Sequence, residues 1–279
     1  MARPGGPTPS SRSRPAGRAH RFFAPVRGGH QDPLLIAETM RQTTMLLGHA
    51  EFGVPVGDQF VMWELGYAAP PERLWLSEGF EERAEPWDIT VDVSCSRIKR
   101  RGRGLGSMEL DLLVHRSGSR ISAGGGRISC MPARVYQRLR GDRQSVIGVP
   151  VPLLPAVAPR TAGRTAERDV VLSPTAREGM WELRLDAGHP ALFGRPNDHV
   201  PGILLLEAVR QAAHVIDPGH VFLRYVEIDR PCWVEARTAP SDDRSTTGVE
   251  VRAVQDGETA FISTFESPAR AEENQDERP

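Results

Sequence analysis

The chain has 279 residues, 39% of them apolar, and a formal net charge of -1. That length holds one large domain or two of ordinary size, and the near-neutral balance gives no global reason to expect nucleic acid or an anionic membrane as partner. Three widely spaced cysteines, Cys95, Cys130 and Cys232, form no CxxC pair, which supports neither a disulfide framework nor a zinc knuckle and fits a reducing cytoplasm.

Met1 to Arg27 is rich in Arg, Pro, Gly and Ser and has no apolar core. It reads as a disordered tail, set at residues 1–24, and not as a secretory signal. No later run approaches the ~18 apolar residues of a membrane span. Asp32-Pro33 is an N-cap followed by an N1 proline, so a helix is expected over 33–48, with Gly48 able to end it. Its apolar residues surround Glu38, Arg41 and Gln42.

Four strand-like runs follow: Gln59–Tyr67, Asp88–Ile98, Gly106–His115 and Ser119–Cys130. They alternate or carry β-branched residues between turn signals. Gly124-Gly-Gly126 and the glycines at 102, 104 and 106 precede no helix, so they are expected to mark strand bends or bulges and not a dinucleotide loop. Arg97–Arg103 is the densest basic run; it is either a solvated hairpin or a docking patch for an acidic partner. Residues 141–169 carry Pro150, Pro152, Pro155 and Pro159 and read as an extended linker.

Val200–His214 reads as a second helix, apolar almost all round and therefore buried. Glu207, Arg210, Gln211 and His214 fall at i, i+3, i+4 and i+7 and share one face. Leu35–Gln42 matches Leu204–Gln211 at a constant offset, with E-x-x-R-Q in both. The chain thus repeats one unit. After the second helix come strands over His220–Ile228, Cys232–Arg237, Thr246–Val254 and Thr259–Phe265. Each half is one buried helix followed by antiparallel strands, an α+β arrangement. The units are set at 25–140 and 170–266, with a polar tail at 267–279.

Pro201-Gly202-Ile203-Leu204-Leu205-Leu206-Glu207-Ala208 resembles the central-helix signature of hotdog-fold acyl-thioester enzymes. Two such units with E-x-x-R-Q resemble the A-factor biosynthesis protein family of actinobacteria, together with His189–Phe193, Asp198–Gly202, Arg230–Glu235 and Phe60–Trp63. The resemblance covers roughly residues 20–266. It implies a tandem (double) hotdog, two buried central helices each wrapped by an antiparallel sheet. It also implies transfer of a β-ketoacyl group from acyl carrier protein to the hydroxyl of dihydroxyacetone phosphate, giving a precursor of a γ-butyrolactone or furan signal. No cofactor or metal is implied, and no nucleic acid or membrane; a homodimer is left open. Phe193 stands at the catalytic-histidine spacing of the hotdog dehydratases, which lowers the case for that chemistry. A thioesterase or dehydratase acting without a phosphorylated acceptor, and a non-catalytic lipid- or signal-binding protein, are the alternatives.

Glu207 is the first expected catalytic residue, as general base for the attacking hydroxyl. Arg210 beside it suits a phosphate-bearing acceptor. Each has a structural alternative, an internal Glu–Arg pair. Glu38 is expected either to contribute to catalysis or to be scaffold. Gln211, Arg41, Gln42 and His199 are candidate substrate contacts. Gly202 and Ile203 supply N–H groups at a helix N-terminus, suited to a developing oxyanion. The Pro-Gly entry and His214 occur only in the second copy, so the chemistry is expected at Glu207 and Arg210. Alanine at either is expected to abolish product without unfolding the chain.

Overall fold

The computed structural model describes residues 21–23, 31–75, 89–102, 104–213, 218–222, 226–239 and 246–268. His214, Arg103 and most of both expected tails lie outside them. Within the N-terminal stretch expected as tail, Arg21–Phe23 forms a 3-10 turn and Phe22 is buried. At the other end the last strand runs to Pro268, past the expected boundary.

Helix α1 spans Pro33–Ala50. Asp32 caps it, its Oδ1 accepting from the Leu34 N–H at 2.9 Å. Gly48 does not end it. A Cβ there would meet the Phe60 ring at 2.5 Å, so the glycine serves a close approach and the helix continues two residues past the expected stop. Helix α4 spans Gly202–Ala213, with α2 at Pro71–Leu74 and α3 at Ala133–Arg140 between them. In α4, Leu204, Leu205, Leu206 and Val209 are all buried; each such side chain stabilises the fold by ~1.5–3 kcal/mol.

Strands β1 (Gln59–Ala68), β2 (Ile89–Arg101), β3 (Gly104–Arg116) and β4 (Ser119–Met131) follow α1. The second half adds β5 (Leu172–Pro174), β6 (Met180–Leu183), β7 (Pro218–Phe222), β8 (Trp233–Ala239), β9 (Thr246–Gln255) and β10 (Glu258–Pro268). Met108, Leu110, Leu112 and Val114 of β3 are buried at every second position, the period of a strand with one face on a core. The described strands form one antiparallel sheet in the order β2-β3-β4-β1-β7-β10-β9-β8-β6-β5. The order is a near-mirror about the β1–β7 pair: helix, then four strands, twice, with β6 and β5 added at the far edge. β1 meets β7 at Glu64↔Val221, Leu65↔His220 and Gly66↔Gly219. Helix α1 packs on β1 and β3, α4 on β5, β8 and β9, and the two helices touch. No helix among the described residues is long and apolar enough to cross a membrane.

The Gly124–Gly126 run lies in continuous register and holds no bulge of β4; the nearby irregularity is in β1, between Met62 and Glu64. A Cβ at Gly124 would stand 2.5 Å from Gly66 O, 2.8 Å from Tyr67 Cβ and 3.0 Å from Met40 Cε. Gly124→Val is therefore expected to cost ~1–3 kcal/mol through overpacking under α1. A thermal melt checks this, and an unchanged melting temperature would show that the helix can lift away.

Candidate active site

The second E-x-x-R-Q copy is largely buried and its carboxylate is saturated with donors. Glu207 is fully buried on α4. Arg210, one turn on, donates from Nε to Oε2 at 2.9 Å and from Nη2 to Oε1 at 2.7 Å. Arg164, from the Pro-rich segment, donates from Nε and Nη2 to the two oxygens at 2.8 Å each. Gln211 adds a further donor to Oε1 through Nε2. A carboxylate offers about four lone-pair sites, so these donors leave Glu207 no room to accept from a substrate. Burial works to raise the Glu207 carboxyl, but Arg210 and Arg164 outweigh it and hold it down at about 2. Burial opposes the charge of Arg210, yet Glu207 holds its pKa above the ordinary guanidinium range. Gln211 is satisfied on both sides, donating to Asp169 O at 2.8 Å and accepting from the Val171 N–H at 3.0 Å. Arg164 also donates to Phe22 O at 2.8 Å, reaches Asp32 Oδ2 at 3.4 Å and lies 4.1 Å over the Phe22 ring. Its side chain thus ties the expected tail, the α1 cap and α4 together.

The first copy meets a different environment. A cavity of about 790 Å³ lies between α1, the start of β1 and the entry to α4. Glu38, Arg41 and Gln42 line it, and so do His199, Gly202 and Ile203. Glu207, Arg210, Gln211 and Arg164 are not in its wall. Apolar side chains, among them Phe60, Met62, Leu205 and Leu206, supply much of the remaining surface. Glu38 accepts from Arg41 Nε at 2.8 Å, Arg41 Nη2 at 2.6 Å and Gln42 Nε2 at 2.7 Å. These three donors leave one acceptor site on the carboxylate. The hydrogen bond to Glu38 shifts the Arg41 pKa upward.

At the entry to α4 a buried network holds His199. Asp198 Oδ1 pairs with His199 Nδ1 at 2.7 Å and accepts from Tyr136 Oη at 2.6 Å. Arg140 donates from Nε to Asp198 Oδ2 at 2.9 Å and clamps Glu227 through Nη1 and Nη2 at 2.9 and 2.7 Å. Burial works to raise the Asp198 carboxyl, but the hydrogen bonds from His199, Tyr136 and Arg140 hold it well below the usual carboxylate range. An anion beside Nδ1 fixes the proton there in the neutral ring, which makes Nε2 the basic nitrogen. Three residues on, the N–H groups of Gly202 and Ile203 open α4 with no partner among the described residues, and both residues line the cavity. Arg195 is exposed, lines the same cavity and has no partner among the described residues. An imidazole, two backbone N–H groups and a guanidinium therefore line the same cavity as apolar side chains and the first E-x-x-R-Q stripe. Among the described residues no group of three His, Cys, Asp or Glu is placed to hold a metal ion.

The family model for the A-factor biosynthesis hotdog domain matches residues 13–132 and 150–231. The chain belongs to the A-factor biosynthesis hotdog family. Members similar to it include a 2-oxo-3-(phosphooxy)propyl 3-oxoalkanoate synthase of Streptomyces virginiae, 45% identical over 91% of this chain and 87% of that protein. A protein of the same name from Streptomyces coelicolor is 42% identical over 90% of this chain and 80% of that one. Among solved structures, a 12:0-ACP thioesterase from Umbellularia californica superposes with a TM-score of 0.52 at 15% identity, covering 93% of this chain and 97% of that one. An acyl-ACP thioesterase from Bacteroides thetaiotaomicron also gives 0.52, at 9% identity, with the same shares covered. Those likenesses establish the tandem hotdog fold of this A-factor family chain, as its sequence leads one to expect.

Sequence reasoning did not single out Arg164, Arg195, Tyr136 or Arg140. Arg164 was hidden in linker composition. Tyr136 and Arg140 did carry a signal, since their i, i+4 spacing places both on one face of a short helix.

Proposed function

We propose that the chain is a 2-oxo-3-(phosphooxy)propyl 3-oxoalkanoate synthase that works in the cavity between α1 and the α4 entry. It transfers a β-ketoacyl group from a thioester on acyl carrier protein to the hydroxyl of dihydroxyacetone phosphate, in the cytoplasm. The observation that carries this is the meeting of the Asp198–His199 pair, the α4 N–H groups and the first E-x-x-R-Q stripe around one apolar chamber, in a chain so similar to named synthases. Both units, 25–140 and 170–266, furnish walls of the cavity.

His199 Nε2 takes the proton from the acceptor hydroxyl as its oxygen attacks the thioester carbon. The Gly202 and Ile203 N–H groups bind the oxyanion that forms, helped by the helix dipole. Collapse of the intermediate breaks the C–S bond, and the leaving thiolate receives the proton from His199. Glu38 holds Arg41 and Gln42 in place to donate to the acyl oxygens. The apolar wall takes the alkyl chain, and Arg195 receives the phosphate. In this reading Glu207, Arg210 and Gln211 are a buttress and not the reacting groups.

Mass spectrometry of the product tests the reaction. β-ketoacyl carrier thioester plus dihydroxyacetone phosphate is expected to give the phosphorylated ester. Release of free acid at the same rate with the acceptor omitted would make the protein a thioesterase instead. Arg195→Ala is expected to raise KM for the phosphorylated acceptor by roughly 10- to 100-fold with little change in kcat, the effect of losing a charged hydrogen bond. Unphosphorylated dihydroxyacetone should show no such difference between wild type and variant; an equal loss with both would remove the phosphate role.

A further inference from the structure

We propose that the outer face of α3 is the docking surface for the acyl carrier protein, an inference that rests on the reaction proposed above. Helix α3 has two unlike faces. Tyr136 and Arg140 point inward and are buried, joined to Asp198 beside the cavity. Arg134, Val135, Arg138 and Leu139 occupy the outer arc and are all exposed, Val135 at 43% and Leu139 at 62%. The two arginines and the two aliphatic residues each fall at i, i+4, so they form a basic stripe beside an apolar one. Neither Arg134 nor Arg138 has a partner among the described residues. An exposed aliphatic pair flanked by unpaired cations is explained by neither the core nor an intramolecular ion pair.

The position of α3 suits delivery into the cavity. Its first N–H, at Ala133, is capped by Asp58 Oδ1 at 3.0 Å, and both Asp58 and Tyr136 line the cavity. The docking face is therefore about one helix diameter, ~10–12 Å, from the chamber wall. The basic residues of β2 extend the patch at the same end of the sheet. Lys99 pairs with Ser107, and Ser107 with Ser129, just before β4 runs into α3. Lys99 and Arg101 are exposed and have no side-chain partner among the described residues. Lys99 and Arg101 of β2 are thus one flank of the surface, and α3 its centre. Carrier proteins are acidic and helical. An apolar centre rimmed by cations matches such a partner in shape of contact and in sign of charge, and charge of this kind acts mainly on association.

The test compares two donors, a β-ketoacyl carrier thioester and the same acyl group on free pantetheine, with the double variant Arg134→Glu, Arg138→Glu. The variant is expected to lose roughly tenfold or more in kcat/KM for the carrier donor, to lose the salt dependence of that value, and to keep wild-type turnover of the pantetheine donor. Leu139→Ser, which leaves the charges alone, is expected to act in the same direction. Unchanged carrier kinetics in both variants, with wild type active on both donors, would sink the docking surface alone. A change from dimer to monomer in light scattering, with both donors equally affected, would assign the face to a second copy instead. Absence of turnover by wild type with either donor would sink the proposed reaction, and the docking with it.

Discussion

Glu207→Ala is expected to lose ~3–5 kcal/mol of stability, because it strips the counter-charge from two buried guanidinium groups. Glu207 is completely buried, while the Arg164 and Arg210 side chains retain only 7% and 17% exposure. Removing one partner of such a cluster costs far more than the net worth of the pair, since the remaining charges stay out of water. Arg164→Ala should behave in the same way, and it also frees the Phe22 carbonyl and Asp32. The pH dependence has a definite sign. Glu207 falls from an ordinary 4.5 to about 2 on folding. A depressed carboxyl contributes stability that is present above the unfolded value and lost as pH drops through the folded one, so this contribution disappears between about 4.5 and 2. Asp32 moves the opposite way, raised by its burial despite Arg210 and Arg164, and partly offsets the loss on acidification. Chemical denaturation of wild type and Glu207→Gln across that window should show the wild type losing its advantage. Parallel stability curves would mean that the cluster does not hold the fold.

His199→Gln is expected to lower kcat by roughly 10²–10⁴, the usual contribution of a positioned general base. Its side chain is 20% exposed at the cavity wall while Asp198 beneath it is only 2% exposed, so melting should change little. Asp198→Asn is expected to follow in activity, because it removes the anion that fixes the proton on Nδ1, and to cost stability as well by unpairing Arg140. Full turnover by His199→Gln would move the base elsewhere, with Glu38 the next group on that wall.

The duplication was legible because the same eight-residue pattern occurs twice, and the two long helices α1 and α4 and most strands follow from apolar period. The cap at Asp32 was equally plain. The short strands β5 and β6 were not legible, being too brief for alternation to show. Nor was α3, whose outward face is half apolar and whose inward face holds an arginine. The identity of the working copy was beyond the sequence for a sharper reason. Glu38-Arg41-Gln42 and Glu207-Arg210-Gln211 carry the same letters. What separates them is Arg164, a residue far along the chain from Glu207 that supplies the donors needed to saturate one carboxylate and leaves the other with an open site. Long-range pairing of that kind leaves no local trace in periodicity or spacing. The Pro-Gly entry and His214 set the second helix apart and directed the expected chemistry to Glu207 and Arg210; His214 lies outside the described residues, and the cavity is lined by Gly202, Ile203, Leu205 and Leu206 of that helix and not by Glu207 or Arg210.

In the proposed reaction one motif has two fates. Glu38→Gln and Glu207→Gln, assayed side by side for turnover per folded molecule with carrier thioester and dihydroxyacetone phosphate, test it most directly. Glu38→Gln should keep its melting temperature and lose roughly tenfold or more in turnover as Arg41 and Gln42 loosen, while Glu207→Gln should melt earlier yet turn over normally while folded. A fully active Glu38→Gln beside a well-folded, inactive Glu207→Gln would contradict the account and return the chemistry to the second helix.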